Sequence, residues 1–173
     1  MKIKRSVEKL DNTLAKIEGN IVFVLLFLML VIVFASVINR FIFNGQIRWA
    51  EELSRYIMIW ASFIGASLGV KKGAHISVDA FVSFLPLKFK KITTIVSNFI
   101  SLAFCLAVLF IGIPFIMNLL ETGQMSPALR IPMYYAYLSV IVGIGLMAIR
   151  YIILIIYEVF LGGNPEVDNG GIL

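Results

Sequence analysis

Four long apolar stretches separated by short polar segments constrain the fold of this chain more than any other sequence feature. They lie at residues Ile21–Ile38, Trp49–Val70, Ile92–Leu119 and Pro132–Tyr157. Each is long enough to cross a bilayer as a helix, which takes about 20 residues. Hydrocarbon offers no water to backbone N–H and C=O groups, so these stretches must form helices that satisfy those groups internally. The sequence therefore predicts an all-α integral membrane protein with four transmembrane helices.

The predicted organisation is a single four-helix membrane domain over residues 1–161, followed by a flexible tail at residues 162–173. We expect the spans at residues 20–40, 48–71, 90–119 and 132–158. The connections between the spans are too short for a soluble domain of ordinary size. The 14% of charged residues also lies well below the quarter that is typical of soluble domains. The N-terminal segment before the first span and the segment at residues 75–85 have apolar residues at helical spacing, which predicts two interfacial amphipathic helices. The N-terminal segment has a second interpretation as the start of the first span.

The Lys and Arg residues are shared unevenly among the connections. Five precede the first span and five lie between the second and third spans, whereas the other connections carry Arg40 and Arg48, and Arg130. Because basic residues near span ends hold those ends in the cytoplasm, both termini are predicted to be cytoplasmic. The net charge of +5 is then explained by orientation and by contact with membrane lipids, and no nucleic-acid partner is expected.

The start of the second span brings three charges close to lipid, at Glu51, Glu52 and Arg55, just after Trp49. Such charges are costly in a membrane unless they are paired or hydrated, and helical spacing allows either glutamate to pair with Arg55. Two interpretations stay open. The segment is an interfacial cap whose charges lie among headgroups, or it is a site that binds a partner.

Small residues recur every four positions along the same helix, at Ala61, Gly65, Gly69 and Gly73. A face this bare lets another helix approach closely. We expect packing within this protein rather than contact with another subunit. Ser139 and Gly143 form a weaker version of the same pattern in the fourth span.

Three further polar residues are candidates for function. His75 and Asp79 lie one turn apart after the second span, but two residues do not make a metal site, so we interpret them as an interfacial hydrogen-bonded pair. Arg150 falls inside the fourth span. We expect its stem to extend to the inner headgroups in preference to a buried partner within the bundle.

Motifs for catalysis are not present in the sequence. It contains no His-Glu-x-x-His, no phosphate-binding glycine loop and no Gly-x-Ser-x-Gly, and it has one histidine and one cysteine. We therefore predict no enzymatic activity, no cofactor and no metal. Two other classes remain as alternatives: a free-standing small membrane transporter, and a membrane assembly factor.

Several motifs together resemble one known family, the small membrane subunits of tripartite ATP-independent periplasmic (TRAP) transporters, also called DctQ-like. The resemblance covers residues 10–157. The motifs are Trp49-x-Glu51-Glu52-x-x-Arg55, Trp60-x-x-Phe63-x-Gly65-Ala66, Gly69-Val70-Lys71-x-Gly73-x-His75-Ile76-x-Val78-Asp79 and Ser126-Pro127-Ala128-Leu129-Arg130-Ile131-Pro132-Met133.

This resemblance implies a bacterial inner-membrane system of three parts. A periplasmic binding protein delivers an organic acid, such as a C4-dicarboxylate or a sialic acid, and a large multi-span subunit transports it with sodium. The small subunit is implied to be a scaffold that braces the large one. Its candidate interface residues for partner binding or helix packing are Trp49, Glu51, Glu52, Arg55, Trp60, Ala61, Gly65, Gly69 and Gly73.

Overall fold

A computed structural model of the chain describes residues 2–71 and 87–160, which form four long helices. Helix α1 spans Lys2–Ile42, α2 spans Arg48–Lys71, α3 spans Leu87–Thr122 and α4 spans Tyr134–Phe160. All four are long and apolar enough to cross a membrane. The prediction of four transmembrane helices agrees with this arrangement, although α3 extends beyond the predicted third span at both ends.

The described helices lie side by side in the order α1, α2, α4, α3. Extensive contacts join α1 to α2, α2 to α4 and α4 to α3. The edge helices are correspondingly exposed: the most apolar 18-residue window is 0% buried in α1 and 6% in α3, against 28% in α2 and 33% in α4. Within the described residues this is an open row rather than a closed bundle, and it leaves large apolar faces for lipid or for a partner.

Residues in the left-handed conformation end two of the helices. Asn44 has a φ of 48° just after α1, and the Gly45 N–H donates to the Asn39 carbonyl at 3.1 Å. Gly123, with a φ of 61°, follows α3. Asn and Gly tolerate this conformation and commonly stop helices there. The chain therefore turns at Asn44-Gly45, and this turn places α1 beside α2.

The N-terminal amphipathic segment is not a separate helix. It continues into the first span, so that α1 runs unbroken for 41 residues, or about 62 Å at the helical rise, roughly twice the thickness of a hydrocarbon core. Its interfacial position stays a prediction. The second predicted interfacial helix, at residues 75–85, and the tail at residues 162–173 lie outside the described residues.

Candidate functional site

Arg150 of α4 is the centre of a buried polar cluster that joins three helices. Only 1% of its surface is exposed. Its guanidinium donates to Glu18 of α1, to Asp11 Oδ1 of α1 at 2.6 Å, and to Ser67 Oγ of α2 at 2.9 Å. The Ser67 hydroxyl in turn donates to Glu18 Oε1 at 3.0 Å. The three helices are therefore fastened to one another at this level.

The charges of this cluster balance. Lys71, at the end of α2, lies 3.2 Å from Asp11, so two cations face two carboxylates. Balance of this kind is needed because an unpaired charge inside a membrane protein is costly. The expectation that Arg150 extends to the headgroups is wrong. Its guanidinium is buried and binds the carboxylates of α1 within the protein.

Sequence reasoning missed the partners of Arg150, although one signal pointed to them. Asp11 and Glu18 are seven residues apart, which is two helical turns, so both carboxylates lie on one face of α1. From the sequence, both are only polar members of the amphipathic N-terminal segment. Nothing in the sequence indicated which helix that face would meet.

Glu52 anchors the connection between α3 and α4, residues 123–133, which we call the outer loop. Its Oε2 accepts the backbone N–H groups of Ala128 and Leu129 at 2.8 and 3.0 Å, and its Oε1 accepts the Tyr56 hydroxyl at 3.0 Å. The carboxylate is buried, and both of its oxygens accept hydrogen bonds from groups of the same chain. Neither sequence interpretation of this position includes a contact with the outer loop.

The outer loop also holds its own shape. The Ser126 N–H donates to the Ile131 carbonyl at 2.8 Å, and the Met133 N–H donates to the Gln124 carbonyl at 2.9 Å. Glu52 joins this closed turn to the first turns of α2. The end of the molecule that carries the outer loop and residues 43–47 is called the loop end below.

We expect Glu52→Ala to release the outer loop from α2. Hydrogen bonds to a charged group typically contribute about 1.5–3 kcal/mol, and two backbone N–H groups lose their acceptor. Amide hydrogen exchange at residues 128 and 129 should rise at least tenfold, with a lower thermal unfolding temperature in detergent. Glu51→Ala is the control, because the Glu51–Arg55 ion pair is solvent-exposed and such pairs contribute little. Equal exchange in the two variants would contradict the anchoring role.

Trp49, Glu51 and Arg55, also at the start of α2, face outward. Glu51 accepts a hydrogen bond from Arg55 at 2.8 Å, and both side chains are more than half exposed. Trp49 is 46% exposed. Of the two ion pairs that helical spacing allows, the one between Glu51 and Arg55 forms. The Glu52 carboxylate binds the outer loop instead. This exposed set stays a candidate contact for lipid or for another protein.

Helices α2 and α4 approach closely at Gly143 of α4, where a Cβ would lie 2.5 Å from the Phe63 Cβ and 2.7 Å from its carbonyl oxygen. At Gly65 a Cβ would meet nothing within 4 Å. Of these two positions, the close contact between α2 and α4 is made by the glycine of α4 and not by Gly65. Gly143 belongs, with Ser139, to the weaker of the two small-residue patterns in the sequence.

The remaining stripe residues are placed as follows. Ala61 is buried, and Gly69 is half-buried. Trp60 donates its indole N–H to the Tyr135 carbonyl at 3.0 Å, which adds a second link between α2 and α4. Gly73, His75 and Asp79 lie outside the described residues.

The buried charged side chains hold helices and a loop in place. In the described part of the chain, no three His, Cys, Asp or Glu side chains are grouped so that they could hold a metal ion. The buried charged residues Glu18, Glu52 and Arg150 all bind groups of the same chain. Each therefore fixes a helix or a loop rather than presenting a reactive group to a substrate.

Comparison with known proteins agrees with the motifs. Residues 29–161 match the family described as tripartite ATP-independent periplasmic transporters, DctQ component. A putative TRAP transporter small permease protein of Haemophilus influenzae is 35% identical over 141 residues, which cover 80% of this chain and 86% of that protein.

Two other relatives are matched over a smaller part of their length. The isethionate TRAP transporter permease protein DctMQ of Oleidesulfovibrio alaskensis is 34% identical over 72% of this chain, and the match spans 20% of that protein. The C4-dicarboxylate TRAP transporter small permease protein DctQ of Vibrio cholerae is 37% identical over 47% of this chain and 35% of its own length. The chain is thus similar to most of one small permease protein, and it spans well under half the length of the other two relatives.

Proposed function

This chain belongs to the family of DctQ components of TRAP transporters, and from that premise we propose that it is a scaffold bracing a large transport subunit in the bacterial inner membrane. The large subunit carries out sodium-coupled uptake of an organic acid delivered by a periplasmic binding protein. The observation that carries the proposal is the use of every buried charge in the described helices for contacts within the chain. A carrier needs ionisable or polar groups that bind and release a substrate.

Two features support a partnership with a larger membrane protein. The edge helices α1 and α3 bury almost none of their apolar windows within the chain. A segment similar to this chain also makes up a fifth of the longer isethionate permease protein. A rigid row of helices with exposed edges suits a brace, because it adds fixed surface without taking part in transport.

We expect the chain alone to transport nothing when it is reconstituted in liposomes with a sodium gradient. The described helices carry no uncommitted carboxylate at mid-depth, where a coupling ion or a substrate would bind. Relatives are named for transport of C4-dicarboxylate, isethionate, ectoine and sialic acid, so uptake of these four compounds is the measurement. Liposomes that also contain the large subunit are the positive control. Sodium-driven uptake by this chain alone would favour a free-standing transporter instead.

The proposed orientation places both termini in the cytoplasm and the loop end in the periplasm. It rests on the excess of Lys and Arg before the first span and between the second and third spans. A reporter fused at either terminus should give a cytoplasmic signal, and one inserted after Gly123 a periplasmic signal. A periplasmic signal from either terminus would overturn this orientation.

A further inference from the structure

A groove of about 610 Å³ opens between α2 and α4 at the loop end. Its charged lining residues are Arg48, Glu51, Glu52 and Arg55, near the loop end, and we call this part the mouth. Its apolar lining includes Ile59, Phe63 and Val140. The lining ends at Phe63 and Val140, one turn before Gly143 meets Phe63. The close contact of α2 and α4 at Gly143 therefore lies next to the inner end of the groove, while Pro127 and Ala128 of the anchored outer loop also line it.

The depth of the groove matches one leaflet of a bilayer. Arg48 and Phe63 are separated by about 22 Å along the axis of α2, at 1.5 Å per residue. Half of a hydrocarbon core is about 15 Å, and the headgroup region adds several more. A molecule that occupied the whole groove would have a charged group at the membrane surface and an apolar portion reaching the midplane.

The charges at the mouth favour a phosphate group. Arg55 is paired with Glu51, and Glu52 is engaged by the outer loop. Arg48, whose side chain lines the mouth, has no ion pair among the described residues. An arginine binds a phosphate through charge-assisted hydrogen bonds, and its fork geometry suits two oxygens at once.

We infer that this groove binds one glycerophospholipid from the adjoining leaflet. The phosphate lies on Arg48, next to the Glu51–Arg55 pair, and one acyl chain lies along Ile59, Phe63 and Val140. The lipid fills the space between α2 and α4 that no side chain of the described residues fills. This inference requires only that the chain lies in a membrane, and it is independent of the proposed scaffold role.

The test is native mass spectrometry of the full chain in detergent, titrated with phosphatidylglycerol and with diacylglycerol of the same acyl chains. The wild-type protein should bind one phosphatidylglycerol about tenfold more tightly than diacylglycerol, because the charged contact is missing in the latter. Arg48→Gln should remove most of this difference. Arg40→Gln is the matched control, since Arg40 is an exposed cation at the same end that does not line the groove.

A second pair of variants tests the apolar part of the groove. Val140→Trp should fill it and abolish lipid binding, whereas Val142→Trp, on the exposed side of α4, should leave binding unchanged. Circular dichroism and thermal unfolding check that each variant folds. If Val140→Trp fails to fold, Arg48→Gln and the diacylglycerol comparison still decide the question. Equal binding by Val140→Trp and Val142→Trp, or equal affinities for the two lipids, overturns the inference. If Val140→Trp binds lipid as the wild type does but no longer captures the large subunit, the inference is also overturned, and the groove is assigned to contact with that subunit.

Discussion

Arg150→Met should destabilise this protein more than any other single substitution considered. Removing one partner of a buried ion pair typically costs about 3–5 kcal/mol, because the other charge is left buried and uncompensated. Here Glu18, which is 2% exposed, would lose its cation, and Asp11 would keep only Lys71. We expect a much lower yield of monodisperse protein and a marked fall in its thermal unfolding temperature in detergent.

The cause of this loss can be separated from a general effect of removing an arginine. Arg130→Met is the matched control, since Arg130 is exposed on the outer loop, and it should behave nearly as the wild type. The double variant Glu18→Gln, Arg150→Met should recover part of the lost stability, because it removes the buried charge together with its partner. Wild-type stability of Arg150→Met would refute the role of the cluster as the fastening between α1, α2 and α4.

Gly143→Ala should force α2 and α4 apart. The added Cβ would lie 2.5 Å from the Phe63 Cβ and 2.7 Å from a backbone oxygen, which does not move aside as a flexible side chain does. Overpacking of this kind typically costs about 1–3 kcal/mol. The measurement is the thermal unfolding temperature of the purified chain, together with its ability to capture the large subunit.

Two other glycines provide the controls for this prediction. Gly145→Ala adds the same methyl group in the same helix, but its Cβ would meet nothing within 4 Å. It should be neutral or stabilising, because Ala is the better helix former by about 1 kcal/mol. A lower stability of Gly145→Ala than of Gly143→Ala would contradict the packing argument.

Gly65 extends the comparison to the partner surface. Gly65→Leu should leave the isolated chain stable, since no other part of the described chain lies near its Cβ. Loss of capture of the large subunit by this variant, with normal stability, would place the stripe of α2 at the intersubunit face. That outcome would reverse our expectation from the sequence that the stripe packs within the protein.

The contacts of the candidate site could be predicted from the sequence only where the two residues are close together in the chain. Helical spacing alone brings Glu51 and Arg55 together, and their ion pair was among the two that the sequence allowed. The contact of Glu52 with Leu129 joins residues 77 positions apart, and that of Arg150 with Asp11 spans 139. No periodic pattern in the sequence carries information on pairs so distant.

The sequence by itself determined the four membrane helices, because bilayer thickness and internal backbone hydrogen bonding act over short segments. Only the tertiary structure decided the order of the helices, the partners of Arg150 and Glu52, and the choice of Gly143 over Gly65 for close packing. The reason is physical. In lipid an apolar helix is soluble on every side, so hydrophobicity does not fix which face turns inward, and the few polar and small residues set the rotation of each helix only once their partners are in place.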